Sequence, residues 1–123
     1  MLITILVYFV IALLAATKLM DVLSTLARIR NTDAETNPFA RGLMKRLGPG
    51  KTAWLFFILA MAIISVAGFA ALRDGWIMQI IFIALGLAVS AIQGAVALAN
   101  WSGAENFITQ QVRAFYATLG RQL

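Results

Sequence analysis

Two ionisable side chains, Lys18 and Asp21, interrupt the otherwise apolar run LITILVYFVIALLAATKLMDVLSTLA (Leu2–Ala27) near the start of the chain. A charge placed mid-bilayer costs about 2.5–3.5 kcal/mol on insertion scales, so its presence calls for a partner or a purpose. Residues three apart share a helical face, and helical side chains lean toward the N-terminus, which brings Asp21 to Lys18. The pair is either a self-neutralising ion pair near the interface or part of a relay or binding site. Thr25, one turn beyond Asp21, and the string Glu35-Thr36-Asn37-Pro38 enlarge the oxygen-bearing set. Asp21, Glu35 and Asn37 are the candidate metal ligands, because hard cations such as Mg²⁺ and Ca²⁺ take carboxylate and amide oxygens. The same residue types also start helices: Thr32 with Glu35 can form a capping box, and Asn37-Pro38 supplies an N-cap and a first-turn proline.

Other chemistries are closed by composition. The 123 residues include no Cys and no His, which removes zinc and iron–sulfur sites, ordinary haem ligation, and nucleophile systems built on Cys or His. Gly48–Thr52 reads GPGKT, like the end of a phosphate-binding loop, but Lys45 occupies the position of that motif's first Gly. With no parallel sheet to carry it, nucleotide binding is set aside and Lys51 reads as a charged anchor opening a membrane helix. No catalytic residue and no cofactor is assigned, and the expectation is a protein that is not an enzyme.

The elements that position these residues follow from hydropathy. Apolar residues are 62% of the chain and charged ones 12%, against about 45–50% and about 25% in an average soluble domain. Three apolar runs, at about 2–27, 54–72 and 76–99, are long enough for a hydrocarbon core of about 30 Å. The first lacks a basic leader segment and is long, so it reads as a retained helix rather than a cleaved signal. The fold class expected is an all-α membrane protein forming one domain, 1–123.

Charge sets the direction. Arg28, Arg30, Arg41, Lys45, Arg46 and Lys51 lie between the first and second runs, and Arg113 and Arg121 follow the third, whereas the intervening turn has Arg73 offset by Asp74. The positive-inside rule then places the N-terminus and that turn outside, with the first loop and the C-terminus in the cytoplasm. Trp54, Trp76 and Trp101 stand at run boundaries, where indoles favour the headgroup level. The net charge of +5 is thus a topology signal; no aromatic-interleaved basic patch points to nucleic acid.

Two shorter helices are expected on the cytoplasmic side. Over about 38–47, Phe39, Leu43, Met44 and Leu47 share one face, with Arg41, Lys45 and Arg46 elsewhere. Such a basic amphipathic helix lies in the interface and attracts anionic headgroups. Over about 102–119, Ala104, Ile108, Val112, Phe115 and Leu119 form a second apolar stripe, suited to the membrane surface or to a partner helix. In the third run Gly86, Ser90 and Gly94 recur every four residues, continued by Met78 and Phe82, with Gln79 and Gln93 nearby. That small-residue face predicts close helix packing, either inside the protomer or between protomers.

An Asp on the first helix, a Thr one turn on, and a loop bearing Glu-x-Asn-Pro are similar to the pattern of a family of small bacterial multispan membrane proteins with no established activity. The similarity rests on Asp21, Thr25, Glu35, Asn37 and Pro38; Asp33-Ala34 stand where that pattern commonly has Gly before the Glu. It implies a multispan protein of a bacterial cytoplasmic membrane. The leading functional expectation is an accessory or assembly subunit engaging itself or a larger complex. The alternatives are a holin-like pore and a divalent-metal-binding protein.

Overall fold

The computed structural model describes residues 1–28, 38–102 and 106–122, and among them are five α-helices and no strand. In chain order they are α1 (Leu2–Arg28), α2 (Pro38–Leu47), α3 (Pro49–Arg73), α4 (Trp76–Ser102) and α5 (Phe107–Gln122). Three of them, α1, α3 and α4, are long and apolar enough to cross a membrane. Their 25 to 27 residues correspond to about 37–40 Å, longer than a hydrocarbon core of about 30 Å.

The helices outrun the apolar stretches. α3 begins at Pro49, five residues before Trp54, and α4 continues to Ser102. Hydropathy marks the edge of the oily layer, whereas a helix stops where its backbone is broken. Gly48 at φ +92° separates α2 from α3, and Gly75 at φ +99° makes the turn from α3 to α4, backbone conformations that other residues rarely adopt. The last helix starts later than the apolar stripe implies, at Phe107, and Ala104 lies outside the described residues.

The bundle is organised around α1. It packs most extensively on α4 and next on α3, while α3 and α4 share a smaller contact. Val7, Val10 and Leu14 of α1 are buried, at the alternating three- and four-residue spacing of a helix seam. α3 comes in at Gly68, where a Cβ would stand 2.8 Å from Ile11 Cδ1 of α1 and 3.8 Å from Phe82 Cζ of α4. At the end where α1 and α4 finish and α3 starts, α2 turns Ala40 and Met44 inward beside α3's buried Thr52 and Ala53. Phe39 and Leu47, expected on the same apolar face as Met44, remain exposed.

Candidate functional site

Amides of α4 meet hydroxyls of α1 in one seam, whereas Ser65 of α3 is exposed. Thr4 Oγ1 of α1 donates to Gln79 Oε1 of α4 at 3.3 Å; further along, Thr17 Oγ1 lies 2.8 Å from Gln93 Oε1. At the far end Asn100 Nδ2 donates to Ser24 Oγ at 3.2 Å and to Thr25 Oγ1 at 3.3 Å. The partners are always 75 or 76 positions apart, so α1 and α4 run parallel, with α3 antiparallel to both. On α4 the series Gln79, Gly86, Gln93, Asn100 steps by seven, and on α1 Val10, Thr17 and Ser24 do the same. A seven-residue repeat keeps one face of each helix against the other, which is the register of coiled-coil packing.

Each rung is chemically complete or nearly so. Thr17 Oγ1 also stands 2.9 Å from the Leu13 carbonyl, and one hydroxyl proton cannot serve both acceptors. With the Gln93 amide turned so that its nitrogen donates to Thr17, both contacts are satisfied. Ser24 Oγ accepts from Asn100 and donates to the Asp21 carbonyl at 3.0 Å, tying the amide of α4 to the backbone of α1.

Between its amides the same face of α4 carries small residues. A Cβ on Gly86 would collide with Val10 Cγ1 and lie 3.3 Å from Leu14 Cδ1, so the backbones meet closely there. Ser90 is buried as well, its hydroxyl without a hydrogen-bond partner among the described residues. Gly94 is different, since nothing lies within 4 Å of the position its Cβ would take. A step of four drifts away from a seam that advances by 3.5 residues, so the contact passes to Gln93.

Lys18 Nζ donates to Asp21 Oδ2 at 3.2 Å within α1, each side chain mostly covered. Of the remaining candidate metal ligands, Glu35 and Asn37 lie outside the described residues. Among the described residues no three His, Cys, Asp or Glu side chains gather to hold a metal ion. What Asp21 meets there is an ammonium group and, through its carbonyl, the Ser24 hydroxyl.

The outward surfaces divide into two kinds. On α3, Ala62, Ile63, Val66, Ala67 and Ala70 line a shallow apolar groove of about 380 Å³. At the helix ends, Trp54, Trp76 and Trp101 are exposed, as are Lys45, Arg46 and Lys51; Arg41 is half-buried. The start of α5 is fixed to the bundle by Asn106, whose Nδ2 donates to the Ala95 carbonyl at 2.9 Å. Asn106 and Thr109 also cap α5 reciprocally: Thr109 N–H donates to Asn106 Oδ1 and Asn106 N–H to Thr109 Oγ1, both at 2.9 Å.

Reasoning from the sequence missed Thr4, Thr17, Ser24, Asn100 and this cap. The spacing of Gln79, Gln93 and Asn100 by multiples of seven is a signal for Asn100, and the seven-residue step from Thr17 to Ser24 is one for that pair. Comparison with protein-family models, with curated proteins and with solved structures gives no match.

Proposed function

We propose that this protein is a non-enzymatic integral membrane subunit of a bacterial inner membrane, which assembles with a larger complex or with copies of itself. In this reading its N-terminus lies outside and its C-terminus in the cytoplasm, because most of the basic residues border the first loop and the tail. The observation that carries the proposal is where the spans direct their side chains. The α4 amides and the Thr4, Thr17 and Ser24 hydroxyls are turned into the α1–α4 seam, while α3 offers outward an apolar groove in which Ala62, Ala67 and Ala70 alternate with Ile63 and Val66. Without a hydrophobic force between helices in lipid, association depends on close packing, and small residues permit it. Gly86 and Ser90 are occupied inside the protomer, so assembly is assigned to α3 instead.

The same distribution disfavours a pore. A conduction path needs polar groups facing a lumen, yet Gln79 and Gln93 are engaged by α1 and Ser90 is enclosed. Ser65 of α3 is exposed, but it is the single polar side chain between Trp54 and Leu72.

The test combines native mass spectrometry of protein gently extracted from its own membrane with cross-linking. Since the chain has no Cys, Ala62→Cys and Ala70→Cys each introduce a single thiol into the groove. The proposal expects a fixed-ratio oligomer or complex, and a cross-link from these positions that Ile80→Cys on α4 does not give. A monomer by both measures would overturn it.

A further inference from the structure

The corner where α2 meets α3 concentrates positive charge that the bundle does not use. Lys45 and Arg46 stand in the last turn of α2, and Lys51 in the first turn of α3. All three are exposed and make no ion pair among the described residues. The start of α3 adds to their field. Its N-cap is Gly48, no side chain caps it, and its first turn contains no acidic residue. Thr52 N–H bonds the Gly48 carbonyl, but the N–H groups of Gly50 and Lys51 have no acceptor among the described residues. Nothing lies within 4 Å of where a Cβ on Gly48 or Gly50 would be, so the backbone is open to an approaching group. Helix N-termini favour anions through those N–H groups and the helix dipole.

Apolar residues beside the corner fix its depth. Leu47 is 45% and Trp54 42% exposed, and the uncharged part of α3 begins just after Lys51, with Trp54 in its first turn. An indole at the headgroup level with an oily span beyond it places Lys45, Arg46 and Lys51 among lipid phosphates. The opposite end differs: Arg73 is followed by Asp74, and Trp76 is exposed beside a turn with no surplus of cations.

We propose that the α2–α3 corner, with Lys45, Arg46 and Lys51 around the open backbone of Gly50, binds the phosphate headgroup of an anionic phospholipid. The cations supply attraction, the two N–H groups supply donors to phosphate oxygens, and Leu47 and Trp54 contact the upper acyl chain. The lipid is thereby held at one end of the bundle and on one side of it.

The test uses indole fluorescence in full-length protein reconstituted into vesicles. Two variants each retain a single tryptophan: Trp76→Phe/Trp101→Phe leaves Trp54, and Trp54→Phe/Trp101→Phe leaves Trp76. Phosphatidylcholine vesicles contain the same low mole fraction of brominated phosphatidylglycerol or brominated phosphatidylcholine. Brominated phosphatidylglycerol should quench Trp54 about threefold more than the brominated choline lipid, given attraction from several surface cations. Trp76 should show the two lipids as equal. The Trp54 preference should shrink in high salt, where the Debye length falls to a few ångströms, and should disappear on Lys45→Gln/Arg46→Gln/Lys51→Gln with helicity retained. Equal quenching of Trp54 by both lipids at low salt, or the same preference at Trp76, would overturn the proposal. The salt series needs no charge variant, so misfolding of the triple substitution cannot hide the answer.

Discussion

Gly86 of α4 lies so close to Val10 of α1 that the glycine has no room for a methyl group unless the valine moves. Val10 is β-branched and 1% exposed, with little freedom to change rotamer. This contact sits between the Thr4–Gln79 and Thr17–Gln93 rungs, so the two helices approach tightly at a level that carries no polar pair.

Gly86→Ala should therefore destabilise the bundle by about 1–3 kcal/mol, the usual range for overpacking. Gly94→Ala, with nothing near its Cβ, should be neutral or gain up to about 1 kcal/mol from helix propensity. Denaturation followed by helicity in mixed micelles separates them. Val10→Ala should partly restore Gly86→Ala, and a double-mutant cycle reads that coupling.

The Asn100 amide contacts both Ser24 and Thr25. Asn100→Leu should cost at least about 0.6 kcal/mol, the average for an interhelical hydrogen bond in a membrane, and more if both contacts count. In a cycle with Ser24→Ala the two losses should be less than additive. Strict additivity would show that the seam's far end contributes no specific bond.

Lys18 and Asp21 should behave as a unit. Asp21→Asn leaves the ammonium group uncompensated and should lower both membrane insertion and stability. Lys18→Met/Asp21→Leu removes both charges and should insert at least as well as the natural chain, because replacing an ion pair with apolar residues is often neutral. A double variant as defective as Asp21→Asn would assign Asp21 a role beyond its partner.

Asn106→Ala removes the α5 cap and the bond to the Ala95 carbonyl together. Cap loss alone typically costs about 1 kcal/mol. Amide hydrogen exchange should then accelerate over 107–122 while α1 and α4 keep their protection, whereas uniform acceleration would mean that α5 is integral to the bundle's stability.

How much of this was legible depends on the range of the interaction. Burial in lipid acts on every residue of a span, so three apolar runs and their indole boundaries stand out from hydropathy alone. Pro38 and the Gly48-Pro49 break act locally on the backbone, and α2 accordingly runs Pro38–Leu47 between them. The Lys18–Asp21 juxtaposition is local too, since three residues on a helix fix it.

The sequence by itself determined that the chain is helical, that three helices suit a membrane, and where charge and tryptophan gather. Only the tertiary structure decided which helices pair. Gly86, Ser90 and Gly94 form an even stripe on an isolated helix, but a partner advancing by 3.5 residues keeps the first two and releases the third. Parallel pairing of α1 with α4 likewise rests on polar contacts 75 or 76 positions apart, including Thr17 with Gln93 and Ser24 with Asn100. Hydropathy cannot foresee that, because within an oily span it measures a residue's preference for lipid and carries no information about its neighbour.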